Sequence, residues 1–186
     1  MKLKIFIAVF VYLLGLLYLV LPSPIYPDLS SAERSDEPGD TWQNPDQKGY
    51  YTNLTRAEVF SQVQSKYTVK FMGLTIPSYR LNYRPEEAFT LVRDQLNSYY
   101  LEEIVYPFRE SLFVNGWEPT HSPRYVGKAP DEIPNISFRG VPFMSKVTFK
   151  PINSLVVSRI SIWTLIFPTA YLVCISLKKS LKNAQA

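Results

Sequence analysis

Long apolar runs stand at both ends of the chain, and a mixed polar and apolar sequence lies between them. Residues 5–21 contain no charged residue and no proline, and residues 160–177 contain no charged residue. As a helix, the first run extends over about 25 Å, close to the thickness of the hydrocarbon core of a bilayer. The pattern predicts transmembrane helices over residues 1–22 and 155–177.

Each apolar run has a second interpretation. The first run is also compatible with a cleaved signal peptide, but no Ala-x-Ala site follows it and prolines stand at 22, 24 and 27. The second run is also compatible with a buried helix in a soluble core, but its length and the lysines that close it favour a membrane span. We therefore expect two uncleaved anchors.

The basic charge of the chain is concentrated outside these two runs. The lysines there exceed the whole net charge of +4, so the rest of the chain is slightly acidic. They are Lys2, Lys4, Lys178, Lys179 and Lys182. This distribution indicates membrane topology rather than nucleic-acid binding. We expect both termini in the cytoplasm, a basic cytoplasmic tail over residues 178–186, and a middle domain outside the cell membrane.

Small and hydroxyl-bearing residues suggest that the two spans pack together. Ser158, Ser161 and Thr164 fall on one stripe of the second helix, and Ala8 and Gly15 share one face of the first. Such stripes favour close helix packing in lipid, within one chain or between chains. The alternative is that the hydroxyls bond back to their own helix.

Residues 23–49 differ in composition from the rest of the middle region. They are rich in proline and acidic residues and contain few large apolar side chains. This composition is typical of extended, solvated linkers. The sequence therefore predicts a Pro-rich acidic tether between the first span and a folded domain over residues 50–151.

The pattern of residues 50–151 predicts an α+β extracytoplasmic domain, with two helices on a mostly antiparallel sheet. Thr55 and Glu58 form a capping-box motif that starts one helix over residues 56–67. A second helix is predicted over residues 85–99. Strands are predicted at 68–76, 78–83, 101–108, 109–114 and 136–150. Asn115-Gly116 predicts a turn, and residues 117–135 form a weakly patterned loop.

Few residues in this sequence suit catalysis or metal binding. The single cysteine, Cys174, lies in the second apolar run, and the single histidine is His121. We therefore expect no cofactor and no metal site. Glu102 and Glu103 are adjacent, so on a strand they point to opposite faces and do not form a carboxylate pair.

The densest group of bulky residues lies between positions 99 and 117. Aromatic side chains together with an arginine are typical of protein interfaces. The candidate interface residues are Trp117, Arg109, Phe113 and Tyr106. Trp117 follows the predicted turn, so we expect it to be the most exposed of them. The alternative interpretation of the whole run is core packing.

One segment of the domain resembles a known group of proteins. Residues 80–119 read RLNYRPEEAFTLVRDQLNSYYLEEIVYPFRESLFVNGWEP. This stretch, together with the two-span layout, is similar to small uncharacterised two-span membrane proteins of candidate-phyla bacteria. That family carries no assigned activity, so the resemblance implies a bacterial cytoplasmic membrane and no functional residue.

Two classes of function fit this sequence. The first is a non-enzymatic envelope scaffold or accessory subunit whose outer domain binds a protein or a wall polymer. Its expected partners are the lipid bilayer and a protein partner or further copies of the chain, with no role for nucleic acid. The second is a membrane-bound enzyme that uses carboxylates and tyrosines of the outer domain.

Overall fold

The computed structural model describes residues 2–84 and 98–184 of the chain. These residues form two compact units. One unit consists of the two terminal segments, and the other spans Ser23–Asn153. Each unit has its own internal contacts and is described separately below.

The terminal unit consists of two apolar helices, α1 over Lys2–Val20 and the last helix, α3, over Val156–Ala184. Within the described residues, Lys2–Val20 and Val156–Leu181 are long and apolar enough to cross a membrane, by length and composition. Their side chains are almost entirely exposed, unlike those of a helix in a soluble core. The helix α3 continues past position 177 to Ala184, so residues 178–184 of the expected basic tail are helical.

The two apolar helices pack against each other within one chain. Trp163 Nε1 donates a hydrogen bond to the carbonyl oxygen of Tyr12 at 3.1 Å, and Tyr12 Oη lies 3.1 Å from Thr164 Oγ1. A Cβ atom at Gly15 would lie 2.2 Å from the Trp163 ring, so this close approach requires glycine. Packing of the two apolar helices within one chain is therefore confirmed, and Thr169, outside the predicted stripe, bonds back to the Leu165 carbonyl of its own helix.

A six-stranded antiparallel sheet forms the centre of the Ser23–Asn153 unit. Its strands are β1 (Ala32–Arg34), β2 (Lys48–Thr52), β5 (Tyr79–Tyr83), β6 (Tyr100–Val105), β7 (Ser111–Trp117) and β10 (Ser145–Ile152). Across the sheet they lie in the order β1-β2-β10-β7-β6-β5. Two small hairpins lie outside this sheet, β3 (Lys70–Phe71) with β4 (Leu74–Thr75), and β8 (Ile136–Phe138) with β9 (Val141–Phe143). The antiparallel α+β prediction is confirmed in this form.

The helix α2, over Arg56–Lys66, covers one face of the sheet. Its capping box is formed as predicted, with Thr55 Oγ1 accepting from the Glu58 amide and the Glu58 carboxylate accepting from the Thr55 amide. The helix buries Val59, Phe60 and Val63. Its Phe60 ring packs against Tyr100 of β6. The other predicted helix, over residues 85–99, falls mainly outside the described residues.

The opposite face of the sheet carries two smaller apolar clusters. In one, Leu101 and Phe113 pack with Tyr83. In the other, the β8–β9 hairpin brings apolar side chains over β2 and β7. Its members are Tyr51, Ile136, Phe138, Trp117 and Phe143. The sheet is therefore buried on parts of both faces.

The predicted tether over residues 23–49 is instead part of the folded unit. Ala32–Arg34 pairs with β2, and β2 itself begins at Lys48. Some of its acidic residues are paired with basic side chains from later in the chain. Asp28 accepts a hydrogen bond from Lys48, and Asp40 is buried against Lys146. The tether prediction was wrong because composition does not show such long-range pairs.

Two further strand predictions need correction. Asn115 and Gly116 do not form a turn, because β7 runs through both and pairs with β6 and β10. Gly116 is needed there for close packing, since a Cβ atom would lie 2.1 Å from the Tyr100 ring. The predicted strands at 68–76 and 136–150 are each interrupted, the first by a turn at Met72-Gly73 and the second by Arg139-Gly140.

Candidate functional site

Three of the four predicted interface residues are buried in the Ser23–Asn153 unit. Tyr106 packs on Tyr67 and donates a hydrogen bond to its carbonyl oxygen at 3.1 Å. Phe113 belongs to the cluster with Leu101 on the face opposite α2. Arg109 donates two hydrogen bonds to the neighbouring Glu110 carboxylate, at 3.0 and 2.7 Å, and both side chains are buried.

Trp117 is partly buried rather than exposed. It packs against the apolar cluster of β2 and the β8–β9 hairpin. Its Nε1 atom is buried and has no hydrogen-bond partner. The structure therefore does not bring Trp117, Arg109, Phe113 and Tyr106 together as one exposed patch, and their packing agrees with the core interpretation of the run.

The strongest charged cluster centres on Glu102, a side chain that is 0% exposed on the α2-facing side of β6. Arg56 Nε donates to Glu102 Oε1 at 2.6 Å, and Arg80 Nη2 donates to the same oxygen at 2.7 Å. Arg80 Nε also bonds the second carboxylate oxygen, Oε2. Two guanidinium groups thus bind one carboxylate, an arrangement that offsets the cost of burying its charge.

The rest of this cluster holds the two arginines in place. The Arg80 guanidinium lies 4.0 Å from the centre of the Phe60 ring, and Arg56 Nη2 donates to Asn82 Oδ1 at 3.3 Å. Hydrogen bonding to Glu102 raises the pKa of Arg80 further above its ordinary value. No local sequence pattern indicates this cluster, because its arginines lie 46 and 22 positions from Glu102.

A second carboxylate, Glu118, lies near the cluster but has no guanidinium hydrogen-bonded to it. It is 8% exposed, and its Oε1 atom has no hydrogen-bond partner. Its other oxygen, Oε2, is 3.6 Å from His121 Nδ1. Burial raises the pKa of Glu118, while His121 and Arg56 act in the opposite direction. Glu118 is therefore the buried acid in the described residues that is best suited to proton exchange.

The charges of both carboxylates act on Tyr100. Its ring lies 5.1 Å from the Arg56 guanidinium, and its buried Oη atom has no hydrogen-bond partner. Burial, and then the charge of Glu118, raise the pKa of Tyr100, so this hydroxyl stays protonated at neutral pH. Chemically, the group offers a hydroxyl donor and a carboxylate acceptor beside an arginine.

Another ion cluster fixes the residues before β2 to the sheet. Lys146 Nζ lies 2.7 Å from Asp40 Oδ2 and 2.5 Å from Glu37 Oε2. Tyr51 donates to the other Glu37 oxygen at 2.7 Å. Burial disfavours the charge of Lys146, but its hydrogen bonds to Asp40 and Glu37 outweigh burial and raise its pKa. The Asp40 carboxylate also lies directly over Gly49, where a Cβ atom would collide with it.

A half-open cleft of about 380 Å³ lies where the first and last residues of this unit meet. It is lined by Ser23, Pro24, Tyr26, Pro45, Asp46, Lys48, Tyr67, Glu110, Pro151 and Asn153. The Glu110 carboxylate in its wall accepts from Ser23 Oγ at 3.0 Å and from Arg109. The Lys48 ammonium lies over the Tyr26 ring and donates to Asp28. Glu110 and Lys48 in the cleft are thus already bound to other side chains of the unit.

The described residues contain no group of three histidine, cysteine or acidic side chains that could hold a metal ion. Glu118 with His121 is the nearest approach to such a set, and two ligands do not make a metal site. Comparison of the chain with protein-family models, with curated proteins and with solved structures finds no match.

Proposed function

We propose that this chain is a two-span protein of a bacterial cell membrane whose Ser23–Asn153 unit lies on the non-cytoplasmic side. In this proposal the unit is a non-catalytic scaffold or accessory module that binds a protein. The two helices serve as its anchors. The proposal joins the apolar helices, the distribution of lysines and the pairing of charges inside the sheet unit.

The topology of the proposal is supported by both ends of the chain. Lysines stand in the first turn of α1, at positions 2 and 4, and in the last turns of α3, at 178, 179 and 182. Lysine-rich flanks favour the cytoplasmic side, and an even number of spans places both termini on one side. The lysines at each end of the chain independently favour a cytoplasmic position for that terminus.

The observation that carries the scaffold assignment is the internal pairing of buried carboxylates. Glu102 is bound by two arginines, Asp40 by Lys146 and Glu110 by Arg109. A catalytic acid or base needs a carboxylate that can reach a substrate and change its protonation. Carboxylates held in this way stabilise the fold, and the unit then acts through its surface.

The surface of the unit supports binding to a protein. Between positions 72 and 81, large apolar side chains face solvent on the β3–β4 hairpin and on β5: Met72 is 86% exposed, Leu74 71%, Tyr79 63% and Leu81 44%. Contiguous exposed apolar patches mark interaction sites, and these four exposed side chains lie within ten positions of one another in the sequence. Wall polymers are polar, so this surface suits a protein better.

The topology is tested by labelling single cysteines in intact cells. In a Cys174→Ser background, Val126→Cys provides a site where the wild-type side chain is 81% exposed, and Ser180→Cys provides a site on α3 directly after Lys178 and Lys179. A membrane-impermeant maleimide should label Val126→Cys and should label Ser180→Cys only after permeabilisation. The reverse pattern would show that the sheet unit is cytoplasmic.

The binding role is tested in the same cells. Leu74→Lys places a charge on the exposed apolar hairpin, and Val126→Lys places one on an equally exposed apolar position elsewhere. A photoreactive group that does not react with amines, placed at Thr75, should form adducts with the partner. These adducts should be lost in Leu74→Lys and should still form in Val126→Lys. Adducts of equal yield in both variants would remove the support for this surface.

A membrane-bound enzyme remains the second candidate because of one group. Glu118 is buried with an unpartnered oxygen and a raised pKa, near the Tyr100 hydroxyl and the His121 ring. An acid and a hydroxyl in this state resemble general acid–base groups. An enzyme of this kind would lose its activity in Glu118→Gln, whereas a scaffold would keep its binding.

A further inference from the structure

We propose that the edge strand β5 is the contact surface for a second copy of this chain, so that two sheets join edge to edge across a two-fold axis. The pairing is antiparallel and centred on Leu81. This inference rests on the proposed function, because it names the protein that the exposed surface binds, and it needs both copies anchored in one membrane.

Among the residues that the structure describes, β5 is an open edge of the six-stranded sheet. It pairs with β6 on one side only and ends the order β1-β2-β10-β7-β6-β5. Four of its five residues, Tyr79–Asn82, are exposed. An exposed strand edge presents a row of backbone donors and acceptors that favours addition of another strand.

Strand β5 lacks the features that protect β1, the other edge of the sheet, from pairing with another strand. Strand β1 is only three residues long and presents Glu33 and Arg34 to solvent. Short length and charge are common protections against edge-to-edge association. The single charged residue of β5 is Arg80, and its guanidinium is turned to the Glu102 carboxylate inside the sheet unit. The β5 edge is therefore the one suited to pairing.

The near-symmetric sequence of β5 favours a second copy of the chain as the partner. The sequence of β5 is Tyr-Arg-Leu-Asn-Tyr, which is nearly symmetric about Leu81. Antiparallel pairing centred there places Leu81 opposite Leu81 of the other copy, and Tyr79 opposite Tyr83. Aromatic and aliphatic cross-strand pairs of this kind stabilise antiparallel sheets. A two-fold contact requires such self-complementarity.

The charges of β5 are compatible with this register. Arg80 of each copy lies opposite Asn82 of the other, so no two arginines face each other across the ladder. Each Arg80 keeps its hydrogen bonds to Glu102 within its own copy. Asn82 already accepts a hydrogen bond from Arg56 through Oδ1, so its side chain points to the same sheet face as Arg80. Like charges directly opposite would have opposed pairing.

The small size of the contact explains why the membrane matters. Two five-residue strands bury much less than the roughly 1,200–2,000 Å² of a stable interface between soluble proteins. Anchoring both copies in one bilayer raises their effective concentration and restricts their orientation. We therefore expect association in membranes that weakens on dilution in detergent.

The test uses disulfide formation in membranes that contain the full chain. Cys174 is the only cysteine, so Cys174→Ser with Leu81→Cys carries one thiol. Residues opposite each other in an antiparallel pair have Cα atoms about 4.5–5.5 Å apart, within disulfide range. Oxidation with copper phenanthroline should convert Leu81→Cys to a dimer of twice the chain mass. The matched control is Glu33→Cys, at the centre of the other edge strand, which should remain monomeric.

A second variant tests the same contact without a disulfide. Leu81→Lys places two lysines opposite each other at the two-fold axis, at a position exposed enough for the fold to accept it. Two copies with different affinity tags should co-purify from mildly solubilised membranes several-fold less when both carry Leu81→Lys. Val126→Lys, the control at an exposed apolar site elsewhere, should leave co-purification unchanged.

The outcomes separate this inference from the proposed function. Monomeric Leu81→Cys, together with external labelling of Val126→Cys, would overturn the dimer and leave the anchored scaffold standing. Equal cross-linking of Leu81→Cys and Glu33→Cys would also overturn it, as random collision. A disulfide to a protein of another mass would replace the second copy by a different partner. Lack of external labelling at Val126→Cys would instead overturn the proposed function.

Discussion

Two buried carboxylates in the sheet unit, Glu102 and Glu118, have opposite surroundings. Glu102 is 0% exposed and is bound by Arg56 and Arg80. Glu118 is 8% exposed, lies 3.6 Å from a histidine nitrogen, and leaves one oxygen without a partner. A charge that is buried with strong partners stabilises its surroundings, whereas a charge that is buried without them shifts its pKa.

Glutamate-to-glutamine substitutions at Glu102 and Glu118 should change the stability of the fold in opposite directions. Replacing glutamate by glutamine keeps the size and shape of the side chain and removes its charge. At Glu102 this substitution takes away the charge that binds two guanidinium groups. At Glu118 it takes away a charge that burial already disfavours. The same chemical change should therefore destabilise the fold at one site and stabilise it at the other.

The largest effect is expected for Glu102→Gln. Breaking a buried ion pair costs about 3–5 kcal/mol, and since the arginines are partly exposed and can be hydrated we expect about 2–3 kcal/mol of lost stability. The measurement is hydrogen–deuterium exchange of peptides from β6 and β7, with the full chain in detergent micelles. Protection of these strands should fall sharply.

The adjacent residue supplies the control for Glu102. Glu103 points to the opposite face of β6, is only half-buried, and accepts a hydrogen bond from Tyr83 at 2.5 Å. Glu103→Gln should cost less than about 1 kcal/mol, the usual contribution of one hydrogen bond. If both substitutions reduced exchange protection equally, the ion pairs of Glu102 with the two arginines would not be the source of the stability that Glu102 contributes to the fold.

Lys146→Met extends the comparison to Asp40. The substitution keeps much of the side-chain volume but leaves the buried Asp40 carboxylate without its cation. We expect a loss of about 2 kcal/mol, because removing one partner leaves an uncompensated buried charge. Exchange protection of β1 and β2 should fall first, since Asp40 and Glu37 join these residues to the sheet.

The control for Lys146→Met is an ion pair on the surface. Arg139 and Asp36 lie 2.5 Å apart, but both side chains are exposed. Arg139→Met should change stability by less than about 1 kcal/mol, as is usual for exposed pairs. An effect on β1 as large as that of Lys146→Met would mean that burial of Asp40 is not the decisive factor.

Local signals explain what the sequence predicted well. The helix α2 begins at Arg56 because Thr55 and Glu58 cap each other, and both residues lie within one turn of the chain. The apolar helices follow from composition alone, and β5 follows from alternation over five residues. In each case the interactions that determine the element lie within a few positions of one another.

Long-range pairs explain what the sequence could not predict. The residues before β2 resemble a solvated linker until Lys146 is known to reach Asp40, across a gap of more than a hundred positions. Asn115-Gly116 resembles a turn until neighbouring strands are known to flank it on both sides. The Glu102 cluster is likewise assembled from β5, β6 and α2.

The smallest change in stability is expected for Glu118→Gln, and it should be a stabilisation rather than a loss. Because the pKa of Glu118 is raised in the folded state, the folded chain holds its proton more strongly than the unfolded chain does. Stability contributed by this group is therefore greatest at low pH and is lost as the pH rises through the folded pKa. Glutamine resembles the protonated form, so Glu118→Gln should stabilise the fold at pH 7 by less than about 1 kcal/mol.

The pH dependence distinguishes this explanation from a change in packing. Thermal unfolding of wild type and Glu118→Gln, followed by near-ultraviolet circular dichroism in micelles, should differ at pH 7 and converge as the pH falls below the ordinary glutamate value of about 4.3. A difference that persisted at low pH would come from packing rather than charge. A variant that was less stable at pH 7 would show that the ionised Glu118 has a partner in the folded chain, and the contrast with Glu102 would then disappear.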